Sequence, residues 1–179
     1  MSRRLMSRYN RLMADVVDAI LEQWRRERPD LDATPMGVIG RISRLARYYD
    51  RAIAENFAPF ELGPDEFDLL ATLRRSGKPY ELNPSELLAS MMVSSATTTH
   101  RLDKLEARKL IERKPDPTDR RAVRVKLTPA GKKLVDQALT AHVEMEHRLL
   151  ADLDGTQRSA LAQLLRQLNE HGPATTGSG

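Results

Sequence analysis

The feature that most constrains this chain is a change of hydrophobic period near Leu110. Upstream of it, residues 84–90 and roughly 95–108 carry apolar side chains at helical spacing, with only about four residues between them. Asn83-Pro84 caps the first segment, and the Ser94-Ser95 pair offers an N-cap for the second. From Leu110 the period becomes two. Leu110-Ile111-Glu112-Arg113 reads as one strand, and Val123, Val125 and Leu127 alternate with Arg124 and Lys126 in another. Lys114 to Arg121 forms a connection too long for a tight turn and too charged to be buried. At Thr128-Pro129 the helical period returns, with Thr128 as N-cap and Pro129 in the first turn. The order reads as a helix-turn-helix followed directly by a basic hairpin, although its turn lacks the glycine often found there.

Helices flank this unit on both sides. Residues 5–27 repeat Leu12, Val16, Ile20 and Trp24, and Pro29 closes the run. Residues 36–57 place Val38, Ile42, Leu45, Tyr49 and Ile53 on one face. Pro64 starts a helix containing Phe67, Leu70, Ala71 and Leu73, and Ser76 to Pro79 turns. The helix from Pro129 runs to about Leu153, with Leu134, Ala138, Ala141, Met145 and Leu149 as its stripe. After a break at Asp154-Gly155-Thr156, residues 157–170 continue through Leu161, Leu164, Leu165 and Leu168. The fold class is therefore mainly α with a small β-hairpin wing. Its expected parts are N-terminal helices (1–62), a winged helix-turn-helix (63–128), C-terminal helices (129–171) and a disordered tail (172–179). The terminal stripes are wider than one small core can cover, so a partner helix, and hence a homodimer, is expected.

Charge and composition narrow the function. Residues 93–133 hold 12 basic and 5 acidic side chains, a local +7, while the rest holds 17 and 20, a net −3. Positive charge gathered in one stretch suits a polyanion. With 179 residues and no cysteine, the chain can bury a core without cross-links, and thiolate metal sites and cysteine nucleophiles are excluded. No apolar run reaches the roughly 20 residues a membrane span needs, and Asp15, Asp18 and Glu22 interrupt any signal-like segment. A cytoplasmic, nucleoid-associated protein is expected. No glycine-rich phosphate loop or nucleophile–base pair is found, so neither an enzyme nor a cofactor is expected. His142 and Glu146 could begin a zinc site, but solvated surface or dimer contact is the better reading. Too little chain remains for the cofactor sheet of a winged-helix methyltransferase.

Taking Leu102 and Leu105 as the buried side of the second helix, steps of 100° turn Thr97, His100 and Lys104 outward. Ser95 then lies beside the buried side, and Arg101 and Asp103 on the flanks. Small polar residues with basic neighbours suit major-groove reading. Arg120 and Arg121 sit where a loop can enter a minor groove, and Asp119 reads either as their buttress or as a turn residue.

The stretch from Asp119-Arg120-Arg121 through Val125-Lys126-Leu127-Thr128-Pro129-Ala130-Gly131 resembles the wing signature of the MarR family. Ser85-Glu86-Leu87-Leu88 and Arg101-Leu102-Asp103-Lys104-Leu105-Glu106 match its helix-turn-helix pattern at the expected distance, and the resemblance covers about residues 36–170. It implies a homodimer joined by terminal helices on a pseudo-palindromic operator, with Arg121 as wing arginine and Asp119 as its partner. It also implies a repressor released by a small, often phenolic or anionic, ligand. A narrower resemblance is to the urate-responsive subgroup, which adds an N-terminal helix bearing a tryptophan. Trp24, Asp68, Arg75, Arg101 and Arg113 stand at the matching positions and imply a site for urate, xanthine or a phenolic acid. Arginines can neutralise a planar anion, tryptophan can stack on it, and aspartate can accept its N–H groups. Trp24 as plain core and Asp68–Arg75 as a structural ion pair are the competing readings. A winged helix used for protein contacts, or a non-specific architectural DNA binder, are the alternatives to a regulator.

Overall fold

The computed structural model describes residues 15–91, 98–116 and 123–170. It divides into two compact units, the first ending at Ile53 and the second beginning at Ala54. In the first, helix α1 spans Val16–Glu27 and α2 begins at Thr34, running on to Phe57. Residues 5–14 of the helix expected over 5–27 lie outside the described residues; α1 begins at Val16, where Asp15 is extended (φ −97°, ψ 179°) and caps it. Its carboxylate accepts the Val17 and Asp18 N–H groups at 2.8 and 3.1 Å, while Asp18 reaches back to the Asp15 N–H. Arg41 of α2 donates to both carboxylates at 2.8–3.0 Å and ties the two helices together.

In the second unit, the residues after Phe57 make a 3-10 turn, Ala58–Phe60, before α3, Pro64–Arg75. Leu69, Leu70 and Leu73 of α3 are fully buried and form the centre of the core. Then come β1 (Glu81–Leu82), α4 (Pro84–Ser90), α5 (Thr98–Ala107), β2 (Ile111–Pro115), β3 (Val123–Leu127), α6 (Pro129–Leu149) and α7 (Gly155–Glu170). The three strands form an antiparallel sheet ordered β1-β3-β2, with Ile111 opposite Leu127 and Pro115 opposite Val123. Strand β1 was not expected: two residues carry no period, and it exists because Glu81 and Leu82 pair with Lys126 and Val125 of β3.

The sheet also alters the hairpin. Ladder pairing carries β2 on through Lys114 and Pro115, and Asp116, expected in an exposed loop, is buried. Arg124 of β3 supplies its counter-charge at 2.7 Å, which is what lets the carboxylate leave water. On α6 the buried stripe runs through Gly131, Val135, Ala138 and Met145, with Val135 taking the place expected for Leu134. α6 ends at Leu149, four residues short of the expected break. α7 begins at Gly155 because Asp154 and Gln157 cap it reciprocally at 2.9 Å. Two ties join α3 to α6. Phe57 stacks on Phe67 at 4.2 Å with the His142 ring 5.2 Å from each, and Asp136 accepts from Arg74 and Lys132, both at 2.7 Å.

Candidate nucleic-acid interface

The reader helix α5 is oriented by what it buries. Leu102 and Leu105 are buried in the core, so the opposite side must face solvent. Thr99, His100, Asp103 and Ala107 are all exposed. His100 lies as expected, and Thr99 joins the outward side without having been expected there. Ser95 and Thr97 lie outside the described residues, as do Asp119, Arg120 and Arg121 of the wing.

Two residues expected on or beside the reading face also pair with acids of α3. Lys104 is exposed as expected, its side chain 54% accessible, and it places Nζ 2.6 Å from Glu66 Oε1; the Arg101 guanidinium is 2.5 Å from Asp65. Both acids stand in the first turn of α3, where negative charge is favoured by the helix dipole. Glu66 is 5% exposed and also accepts the Gly63 N–H at 2.9 Å. Burial opposes its ionisation. The Lys104 and Gly63 hydrogen bonds and the positive charges of Lys104 and Arg108 outweigh burial, so its carboxyl titrates below the usual glutamate range. Neither acid was singled out from sequence, because a Pro-Asp-Glu helix start has a sufficient local explanation.

Of the residues expected to hold a small anion, Asp68, Arg75, Arg101 and Arg113 lie in the second unit and fall into two groups. Asp68 and Arg75 approach to 3.8 Å on α3, and Arg75 also donates to the Ser90 carbonyl. Asp65, which holds Arg101, lies one turn before Asp68. At 100° per residue, Asp65, Asp68, Thr72 and Arg75 fall within an arc of about 80°. The Thr72 hydroxyl and the Arg101 Nη1 are buried without a hydrogen-bond partner among the described residues. Arg113 instead binds the opposite flank of α5, 2.7 Å from Asp103 and 3.2 Å from Glu106. Trp24 belongs to the first unit, 40% exposed on α1 in line with Val16 and Ile20.

A helix-turn-helix with an exposed polar reader face, followed by a hairpin carrying Arg113, Lys114, Arg124 and Lys126, defines a winged helix-turn-helix DNA-binding protein. The MarR family model matches residues 62–123. The transcriptional regulator PecS of Dickeya dadantii is 41% identical over 155 residues, covering 87% of this chain and 93% of that protein. Among solved structures, BpsR of Bordetella bronchiseptica, whose DNA binding is regulated by 6-hydroxynicotinic acid, is 26% identical. It has a TM-score of 0.65 and covers 74% of this chain and 92% of its own. A variant of MarR from Escherichia coli in complex with operator DNA shares the fold, at 24% identity and a TM-score of 0.64, over 87% of this chain and 99% of that one. The chain belongs to the MarR family and is a DNA-binding transcriptional regulator, not an enzyme. Among the described residues, no helix is long and apolar enough to cross a membrane.

Proposed function

We propose that the chain acts in the cytoplasm as a homodimeric repressor that binds a pseudo-palindromic operator and is released by a small planar anion of purine or aromatic-acid type. In this reading Ser95, Thr97, Thr99 and His100 face the major groove, while Arg120 and Arg121, supported by Asp119, follow the minor groove. The helices of 1–62 and 129–171 join the protomers. Support for a dimer comes from the single chain, which leaves Val16, Ile20, Val38, Ile42, Leu164 and Leu168 between 38% and 59% exposed. Scattered apolar residues need no explanation, but stripes repeated at helical spacing do.

The observation that carries ligand control is the ion pair between Arg101 of the reader helix and Asp65 of α3, one turn from the Asp68–Arg75 pair. An anion drawn to Arg75 and Arg101 would compete with Asp65 and Asp68 for the same guanidinium groups. Occupancy would therefore favour a setting of α5 different from the one Asp65 holds, which is the differential affinity any release mechanism requires. BpsR, regulated by 6-hydroxynicotinic acid, supports an aromatic acid as one ligand class, and the resemblance of the site residues supports urate or xanthine as the other. The test is an electrophoretic shift on DNA upstream of the protein's own coding sequence, with urate, xanthine, salicylate or 6-hydroxynicotinate added. Relief of a specific shift by one of them, lost in Arg75→Ala, is the expected outcome. A specific shift that none of the four relieves contradicts the ligand reading.

A further inference from the structure

One stripe of the reader helix makes its ion pairs and hydrogen bonds to the chain itself, Lys104 remaining half exposed. Arg101, Lys104 and Arg108 stand at i, i+3 and i+7 and share a face of α5. All three reach the segment between Phe60 and Glu66. Arg101 pairs with Asp65 and Lys104 with Glu66, while Arg108 donates to the carbonyl oxygens of Glu61 at 2.6 Å and Phe60 at 3.2 Å. On the other flank, Arg113 of β2 holds Asp103 and Glu106, and its main-chain N–H donates to the Glu106 carboxylate at 3.0 Å. The helix is held on both flanks, with His100 exposed between them and Thr99 exposed on the Asp103 side.

The Lys104 contact differs in kind from the others. Its partner is a 5% exposed carboxylate whose second bond, to the Gly63 N–H, is fixed by the first turn of α3. The Lys104 side chain is half exposed, but an ammonium that left Glu66 for a DNA phosphate would leave a buried carboxylate with only the Gly63 N–H and the more distant Arg108 charge to offset its burial, a cost that opposes the exchange. We infer that Lys104 is a positioning residue for DNA reading: its ion pair with Glu66 sets the rotation of α5 and so the aim of Thr99 and His100, and it does not contact phosphate. This rests on the reading of α5 as the operator-binding helix. Charge along α5 is thus partly committed to the protein itself, through the 101–104–108 stripe and its partners between Phe60 and Glu66.

The two roles separate in salt titrations. A phosphate contact contributes close to one unit to the slope of log affinity against log salt and acts on any DNA sequence, whereas a positioning residue affects only correctly read sequence. Glu66→Gln and Lys104→Met are compared with the unaltered protein on operator and scrambled duplexes from about 50 to 200 mM salt. Circular dichroism and sedimentation confirm the fold of each variant. Operator affinity is expected to fall on the order of tenfold in each variant, at unchanged slope and unchanged affinity for scrambled DNA. The double variant is expected to be no weaker than either single one, because the two residues act as one unit. Glu66→Gln keeps the Lys104 charge and a near-identical shape, so it decides the matter even where Lys104→Met fails to fold. Affinity unchanged or raised in Glu66→Gln, or a slope reduced by about one in Lys104→Met, would overturn the positioning role alone. No specific binding by the unaltered protein would overturn the operator reading and the positioning role with it.

Discussion

Gly131 shows how tightly a single position can be specified. It lies in the first turn of α6, where its N–H donates to the capping hydroxyl of Thr128 at 3.0 Å, and that hydroxyl itself donates to the Lys109 carbonyl at 2.7 Å. A methyl group there would overlap the Leu110 carbonyl oxygen and stand 2.8 Å from its carbon. Backbone cannot rotate away as a side chain can, so Gly131→Ala should destabilise by about 3 kcal/mol, measured by urea denaturation. A loss below about 0.5 kcal/mol contradicts the close approach of α6 to the end of α5. Two acids give a pH signature at the same scale. Glu66 titrates below its ordinary 4.5 for the reasons given above. Asp136 titrates below its ordinary 3.8 because the Lys132 hydrogen bond, helped by Arg74, outweighs the opposing effect of burial. Groups depressed in the folded state stabilise fully above their unfolded values and lose that stabilisation as pH falls through their folded values. The Tm should therefore stay level from neutral pH to about 5 and fall below about 4.5, less steeply in Glu66→Gln. An unaltered protein equally stable at neutral pH and at about pH 4 contradicts these pairings.

At the scale of elements, what was legible followed from local signals. The α4 bounds and the β3 strand agree with the sequence reading because Asn83, Val123 and Leu127 announce them through capping and alternation. Strand β1 and the extension of β2 through Pro115 were not legible, since both are set by a partner strand rather than by their own residues. The recognition helix illustrates the limit for the site. Its buried pair, Leu102 and Leu105, correctly turned His100 to solvent. The same angles turned Lys104 outward, where it is exposed, but they cannot register that its ammonium pairs with Glu66 of α3, far earlier in the chain. Asp116 was hidden by the same kind of cause, because only the strand register places Arg124 against it. Arg124→Ala should accordingly weaken the wing. The expected result is faster hydrogen exchange at the β2 and β3 amides, with α3 and α6 unchanged; equal exchange throughout would mean the ion pair contributes nothing there.

For the molecule as a whole, the apolar stripes of α1, α2 and α7 and the polar reader face of α5 support one assembly, a dimer presenting two reader helices. Sedimentation should give a species of twice the chain mass at micromolar concentration; a stable single-chain species would remove the basis for a two-fold operator. Ser95, Thr97, Arg120 and Arg121 were read from sequence and lie outside the described residues. DNA selection tests them together with the rest. The most direct measurement is enrichment of duplexes from a random-sequence pool by the full chain, followed by competition against scrambled DNA at equal salt. The account predicts a pseudo-palindromic sequence with half-sites about one helical turn apart, bound at least about a thousandfold more tightly than scrambled DNA. A pool that stays random, with all duplexes bound alike at equal salt, would contradict it.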